Sequence, residues 1–212
     1  MSLHRPPSGL PGVRYGAIAR HIDARGSFRE LWRAGDPADA GGSTGAPARA
    51  ADPTDAADPA DAADRAAFVQ ANLSTSATGV LRGLHLHRRQ LDYWVVAAGR
   101  AFVALADVRP LLAGSAVAPN VETRELTADD WVVIPAGVAH GFLALEPLEL
   151  VYLVTNPYDG SDESGFAWDD PVVGVPWPAA PGAPAGRPIL SERDAANPSL
   201  VELVARLRAD SI

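Results

Sequence analysis

The chain contains the stretch Gly79-Val80-Leu81-Arg82-Gly83-Leu84-His85-Leu86-His87. Its apolar residues predict a β-strand, on which His85 and His87, two residues apart, leave by the same face. Arg82 would leave by the opposite face unless Gly83 marks a bulge that redirects it. Because imidazoles and a guanidinium are costly to bury without partners, the stretch indicates the floor of a functional site. An exposed edge strand with scattered histidines is the alternative.

The composition excludes several classes of function. The net charge of −8 argues against nucleic acid as a main partner. Every basic residue is arginine, so a lysine Schiff-base mechanism is excluded. The chain has no cysteine, which excludes disulfides, thiol nucleophiles and cysteine zinc sites. It also lacks a signal-peptide core and an apolar run of membrane-spanning length, so we expect a cytoplasmic protein with no membrane partner.

The fold class follows from the spacing of short apolar runs. Turns rich in Gly, Pro and Asp separate these runs at intervals of about 8–12 residues, a pattern typical of antiparallel sandwiches and barrels. We therefore predict an all-β fold, a double-stranded β-helix or jelly roll, which the motifs below resemble in its cupin-type form. The predicted strands lie within residues 12–32, 68–74, 79–87, 91–97, 101–108, 121–126, 131–134, 142–145 and 148–155.

Two regions stand apart from this pattern. A short C-terminal helix is predicted after Ser199, because Leu200, Leu203, Val204 and Leu207 share one helical face. Residues 35–63 consist largely of Ala, Asp, Pro and Gly and hold no large apolar residue. We expect this segment to be a disordered insertion within a single domain spanning residues 1–212.

A metal-binding pattern is present in two motifs that resemble the signatures of cupin barrels. The first places His85 and His87 before Asp92, and the second is Pro-x-Gly-x-x-His, ending at His140. Three histidines and a carboxylate could together form a metal site. Many cupin-like proteins keep the scaffold without the ion, so the pattern favours the fold more than the metal.

Acid–base and anion-binding chemistry have separate candidates. A buried His85 needs a carboxylate to hold its tautomer, and Asp169 and Asp170 are available beside an aromatic residue. Tyr152 is either a core residue or a proton donor. Arg82, within an apolar strand, and Arg25, at a turn, are candidates to bind phosphate oxygens.

Several motifs together resemble the dTDP-4-dehydrorhamnose 3,5-epimerase family of cupin-fold enzymes. They are spread over most of the chain outside the insertion: PGV (11–13), DxRGxFxE (23–30), FVQxNxS (68–74), GVLRGLH (79–85), IPxGxAHGF (134–142), WxDP (168–171) and PILSxxDA (188–195).

The resemblance implies a metal-free carbanion mechanism without a cofactor, acting on a dTDP-4-keto-6-deoxysugar at C3, C5 or both. His85 would be the base, Asp170 would orient it, and Tyr152 would be the acid. Tyr158 would stack on thymine. The resemblance also implies a homodimer whose first strands cross between subunits. The other implied substrate-binding residues are Arg25, Phe28, Glu30, Gln70, Asn72, Arg82, His140, Glu163 and Arg193.

The sequence departs from the family at Asp92. This position follows the histidine loop, where the family has a lysine that helps to stabilise the enolate, and a carboxylate there would repel the developing charge. Arg88, Arg89 or His140 could compensate, or the enzyme could epimerise a single centre. Two further alternatives are a metal-dependent cupin enzyme using His85, His87, Asp92 and His140, and an inactive nucleotide-sugar binding homologue.

Overall fold

The computed structural model describes residues 7–33, 68–158, 160 and 162–210. The predicted insertion, residues 35–63, lies outside the described residues. No helix within the described ranges is long and apolar enough to cross a membrane.

Two five-stranded antiparallel sheets form the body of the fold, which confirms the predicted all-β jelly roll. The first sheet has the order β1 (Arg14–Ala17), β9 (Asp130–Ile134), β6 (Asp92–Ala98), β11 (Leu148–Val154), β4 (Gln70–Ser76). The second has the order β12 (Glu163–Gly165), β5 (Leu81–His87), β10 (Val138–Ala144), β7 (Arg100–Asp107), β8 (Asn120–Thr127). A separate hairpin pairs β2 (His21–Asp23) with β3 (Gly26–Phe28).

The main core lies between the inner faces of the two sheets. Trp94 and Val96 of β6 pack there with Val103 and Leu105 of β7. Alternation along each strand places these apolar residues on one face. At one end of the same inner space the residues become polar, and this is where the cavity described below lies.

Three α-helices, besides a short 3₁₀ helix at Pro184–Gly186, complete the described fold. These are α1 (Arg109–Leu112), α2 (Glu192–Ala195) and α3 (Leu200–Ala209). The predicted C-terminal helix is α3, and its apolar face packs against Leu84 and Leu86 on the outer side of the second sheet. Ser199 forms a capping box with Glu202 at its start. The sequence did not predict α1, α2 or β12, since three or four residues carry no periodic signal.

A bulge in β5 positions the central stretch. His85 of β5 pairs with His140 of β10, and Arg82 pairs with Phe142. Between these two pairs β5 therefore contains one residue more than β10. Gly83 occupies the bulge with φ of +122°, and a Cβ there would lie 2.7 Å from the Cα of Gly141. Because of the bulge, Arg82 lines the same cavity as His85, as the sequence allowed.

Candidate active site

A cavity of about 470 Å³ opens between the two sheets. β4, β6 and β11 form one wall, and β5 and β10 of the other sheet form the opposite wall. Its lining residues are Gln70, Asn72, Ser74, Arg82, His85, His87, Gln90, Asp92, Trp94, His140, Phe142, Leu150, Tyr152, Val154, Tyr158, Glu163, Ser191, Arg193 and Asp194.

His85 is paired with Asp194 in this cavity. Its Nε2 lies 2.8 Å from Oδ1 of Asp194, whose side chain is 6% exposed. Burial alone would raise the pKa of Asp194, but the hydrogen bond and charge of His85 lower it below its ordinary value. The carboxylate is therefore ionised at neutral pH and accepts a hydrogen bond from Nε2–H. The lone pair of His85 is then on Nδ1, which makes that atom the candidate base.

The sequence-based assignment of Asp170 as the partner of His85 is wrong. Asp170 is buried away from the cavity, where its carboxylate accepts backbone N–H groups from Val172 at 2.8 Å and Leu200 at 2.7 Å. It thus anchors the first turn of α3. Asp194 takes the orienting position because α2 carries it over β5, and Ser191 caps that short helix by accepting the Asp194 N–H.

Tyr152 lies on β11, in the wall opposite His85. Burial raises the pKa of Tyr152 above its ordinary value, the charge of Asp92 raises it further, and the charge of Arg82 lowers it. The phenol is therefore protonated at neutral pH and can donate a proton. A base in one wall and an acid in the other is the arrangement needed to invert a carbon centre.

Most of the predicted substrate-binding residues line the cavity. The members brought together are Gln70, Asn72, Arg82, His140, Tyr158, Glu163 and Arg193. Gln70 Nε2 donates to Asn72 Oδ1 at 2.8 Å, and Gln70 Oε1 accepts the Tyr158 N–H at 3.0 Å. Arg193 pairs with Glu163 at 2.7 Å.

Arg82 lines the cavity with a positive charge that its hydrogen-bond partners do not neutralise. Its guanidinium donates to Ser76 Oγ at 3.1 Å and to the Thr75 carbonyl at 3.3 Å, both neutral groups. Within the described part of the chain no carboxylate pairs with it. The charge is thus available to an anionic ligand.

Three predicted residues do not line the cavity of this chain. Arg25 is 89% exposed at its side chain and pairs with Asp23 of its own turn. Phe28 is 69% exposed, and Glu30 pairs with Arg33. All three lie on or beside the β2–β3 hairpin.

Asp92 forms a compact cluster with two histidines. One ligand atom from each of His87, Asp92 and His140 lies within 4.8 Å of those of the other two. Burial raises the pKa of Asp92, against the lowering effects of His87 and of hydrogen bonds from Gln90 and Trp94. Burial lowers the pKa of His140 well below its ordinary value. His85 is not part of this cluster, so the predicted four-residue metal set is corrected to three.

Comparison with known proteins identifies the family. Residues 53–202 match the dTDP-4-dehydrorhamnose 3,5-epimerase family. The chain is 36% identical to the dTDP-4-dehydrorhamnose 3,5-epimerase of Sinorhizobium fredii over 144 residues, which cover 64% of this chain and 69% of that protein. The chain belongs to the dTDP-4-dehydrorhamnose 3,5-epimerase family.

Solved structures agree with this family membership. The rmlC epimerase of Mycobacterium tuberculosis superimposes with a TM-score of 0.71 at 28% identity, covering 96% of this chain and 90% of that one. NovW, a 4-keto-6-deoxy sugar epimerase from the novobiocin gene cluster of Streptomyces spheroides, gives 0.70 at 27% identity, covering 95% and 89%. These matches support a sugar-nucleotide epimerase and favour neither the metal-dependent cupin enzyme nor the inactive binding homologue.

Arg88 and Arg89 are two of the residues that could supply the charge of the family lysine, and their side chains lie outside the cavity. The backbone N–H groups of Arg88 and Arg89 donate to the Asp162 carboxylate, each at 3.0 Å, and the Arg89 side chain is 62% exposed. Neither side chain lines the cavity described above. Asp92, His87 and His140 line the cavity instead.

Asp194 is a candidate functional residue to which the sequence analysis gave no role. The run Pro188–Ala195 contributed to the family resemblance, but its aspartate was given no role. The available signal was the pattern Ser191-x-x-Asp194, which caps a short helix and fixes the direction of the carboxylate.

Proposed function

We propose that the chain epimerises a dTDP-4-keto-6-deoxyhexose at C3, at C5 or at both carbons. The observation that carries the proposal is the His85–Asp194 pair on one wall of the cavity, with Tyr152 on the other. This pairing supplies an oriented base and a protonated acid on opposite sides of a bound sugar.

The reaction begins with proton removal next to the C4 ketone. His85 Nδ1 takes the proton, the C–H electron pair enters the enolate, and Asp194 stabilises the imidazolium that results. Tyr152 then donates its phenolic proton to the same carbon from the opposite face. Proton exchange with solvent returns His85 and Tyr152 to their starting states.

The nucleotide part of the substrate has candidate partners at the cavity. We assign the diphosphate to Arg82, whose charge is not balanced by a carboxylate among the described residues. We assign the thymine to Tyr158, an exposed ring next to Gln70.

A homodimer would explain the residues that lie outside the cavity. Ile22 and Phe28 of the hairpin are 77% and 69% exposed, and Leu73 on the edge strand β4 is 63% exposed. An exposed edge strand and a projecting apolar hairpin favour association. We propose that the hairpin crosses to a second copy, bringing Arg25, Phe28 and Glu30 to the partner's cavity.

Cytoplasmic location and a single domain over residues 1–212 stay predictions from the sequence.

The experiment is proton exchange followed by NMR, with the protein and dTDP-4-keto-6-deoxyglucose in D₂O. We expect the H3 signal, the H5 signal or both to disappear at a rate proportional to enzyme concentration. No enzyme-dependent loss of either signal, in protein that still binds dTDP, would contradict the proposal.

A further inference from the structure

His87, Asp92 and His140 come together at the position that a lysine occupies in the family. They lie on three strands of the two sheets, β5, β6 and β10. One ligand atom of each lies within 4.8 Å of the other two. Within the described residues, no hydrogen bond joins any two of them. The three side chains therefore lie close together, but none of them serves as a hydrogen-bond partner of another.

The two imidazoles are oriented by the backbone. His87 Nδ1 lies 3.2 Å from the Asp162 carbonyl oxygen, and His140 Nδ1 lies 3.2 Å from the Val138 carbonyl oxygen. A carbonyl only accepts, so each Nδ1 carries the proton and each Nε2 presents its lone pair. Histidine ligands of metal ions are held in this way, with the second ring nitrogen donating to a carbonyl or carboxylate.

The carboxylate of Asp92 is buried without an ordinary counter-ion. The residue is 3% exposed; Gln90 Nε2 donates to its two oxygens at 3.1 and 3.3 Å, and the Trp94 side chain donates a further hydrogen bond, but both donors are neutral. No arginine pairs with it in the part of the chain that the structure describes. A buried carboxylate is costly unless a positive group or a metal compensates it.

We propose that His87, Asp92 and His140 bind a divalent first-row transition-metal ion. Two imidazoles and one carboxylate suit Zn²⁺, Co²⁺, Fe²⁺ and related ions. Metal–ligand bonds of about 2.1 Å at tetrahedral angles place ligand atoms roughly 3.4 Å apart. The separations in the structure, all within 4.8 Å, can reach this spacing by side-chain rotation. Three protein ligands leave at least one position for water or a substrate oxygen.

The role of the ion rests on the proposed function. Proton removal by His85 places negative charge on the C4 oxygen, and Asp92 alone would oppose it. A divalent cation held by Asp92 reverses the sign of the local charge and stabilises the enolate as a Lewis acid. No electron is transferred. The ion thus replaces the charge that the family obtains from lysine.

The site itself is tested by metal binding, without reference to activity. Protein stripped with a chelator is titrated with Co²⁺, and visible d–d absorption is followed, with Zn²⁺ as competitor. We expect one equivalent to bind and Zn²⁺ to displace it. Asp92→Asn and His87→Gln should each abolish the bands, while the surface variants Asp169→Asn and His21→Gln should keep them.

Two results would overturn the site. One is the absence of Co²⁺ absorption and of stoichiometric Zn²⁺ in wild-type protein. The other is unchanged Co²⁺ binding in both Asp92→Asn and His87→Gln, which would place the ion elsewhere. Circular dichroism at each step verifies that the variants are folded.

The role is tested by the D₂O exchange assay on stripped and reloaded protein. We expect stripping to slow exchange by about 100-fold, the scale of losing one oxyanion stabiliser, and reloading to restore it. Asp92→Lys should lose Co²⁺ binding and make exchange insensitive to the chelator. If the chelator does not change the exchange rate of the wild type although Co²⁺ binds, the ion has no catalytic role, but the metal site itself is supported. If neither form exchanges, the proposed function fails and the titration alone decides the site.

Discussion

His85 and Asp194 are 109 positions apart in the sequence, yet His85 Nε2 lies 2.8 Å from Asp194 Oδ1. The contact fixes which ring nitrogen carries the proton and leaves the other as the base. It also depends on α2, because Ser191 caps the helix that holds Asp194. The catalytic assignment thus rests on the path of the C-terminal segment as much as on the β5 strand.

Replacing Asp194 should impair catalysis without unfolding the protein. In Asp194→Asn, the amide no longer compensates a protonated His85 and can hold the wrong tautomer. We expect kcat to fall by about 10²–10⁴-fold with a small change in KM. The matched control is Asp170→Asn, since Asp170 is equally buried but accepts two backbone N–H groups at α3. That control should lower the free energy of unfolding by about 1–3 kcal/mol, with kcat of the folded protein largely kept. A loss of kcat in Asp170→Asn, with kcat kept in Asp194→Asn, would instead show that Asp170 orients His85.

Tyr152→Phe should separate proton exchange from inversion. His85 can still remove the proton and return deuterium to the same face, but no acid remains on the opposite wall. We expect formation of the epimer to fall by about 10²–10⁴-fold, while deuterium still enters the substrate with retained configuration. NMR of the recovered sugar measures both quantities. Equal loss of exchange and epimer would instead place Tyr152 in the first step.

Arg82→Gln should weaken nucleotide binding more than it slows chemistry. A charge-assisted hydrogen bond contributes about 1.5–3 kcal/mol, so we expect the Kd for dTDP to rise by roughly 10–100-fold. Calorimetric titration with dTDP measures this. Arg100→Gln is the control, because Arg100 pairs with Glu125 and Glu146 and does not line the cavity. Equal effects of the two variants would contradict the assignment of the diphosphate to Arg82.

The depressed pKa of Asp194 predicts a pH-dependent contribution to stability. Because the folded-state pKa lies below the unfolded value of about 3.9, ionised Asp194 favours the folded state. Its contribution is complete above the unfolded pKa and is lost as the pH falls through the lower folded value. The difference in unfolding free energy between wild type and Asp194→Asn should therefore shrink on acidification below about pH 4. Urea unfolding of both proteins across this range measures it, with Asp169→Asn controlling for loss of one surface carboxylate. A difference independent of pH would show that Asp194 is not held as an ionised partner.

The local parts of the fold could be predicted from the sequence. Alternating apolar residues and turns rich in Gly and Pro predicted most strands. The apolar helical face formed by Leu200, Leu203 and Leu207 predicted α3. These signals work because the strand and helix periods act over a few residues. Elements as short as β12 and α2 have no such period, and only their tertiary contacts define them.

The chemistry of the site was only partly predictable for the same reason. The bulge at Gly83 and the meeting of His87, Asp92 and His140 follow from strand register, which the motifs encode. Which aspartate reaches His85 does not, because the path of the C-terminal segment brings Asp194 to β5 and leaves Asp170 at the start of α3. His85, whose Nε2 is paired with Asp194, is not a member of the His87–Asp92–His140 cluster.

The most direct test of the epimerase is deuterium exchange at C3 and C5 of dTDP-4-keto-6-deoxyglucose, measured by NMR for wild type and His85→Asn. We predict that wild type, loaded with a divalent metal ion, exchanges at least one of these positions. His85→Asn should show no enzyme-dependent exchange while still binding dTDP. Exchange at the wild-type rate in His85→Asn, or none in metal-loaded wild type that binds dTDP, would contradict the account.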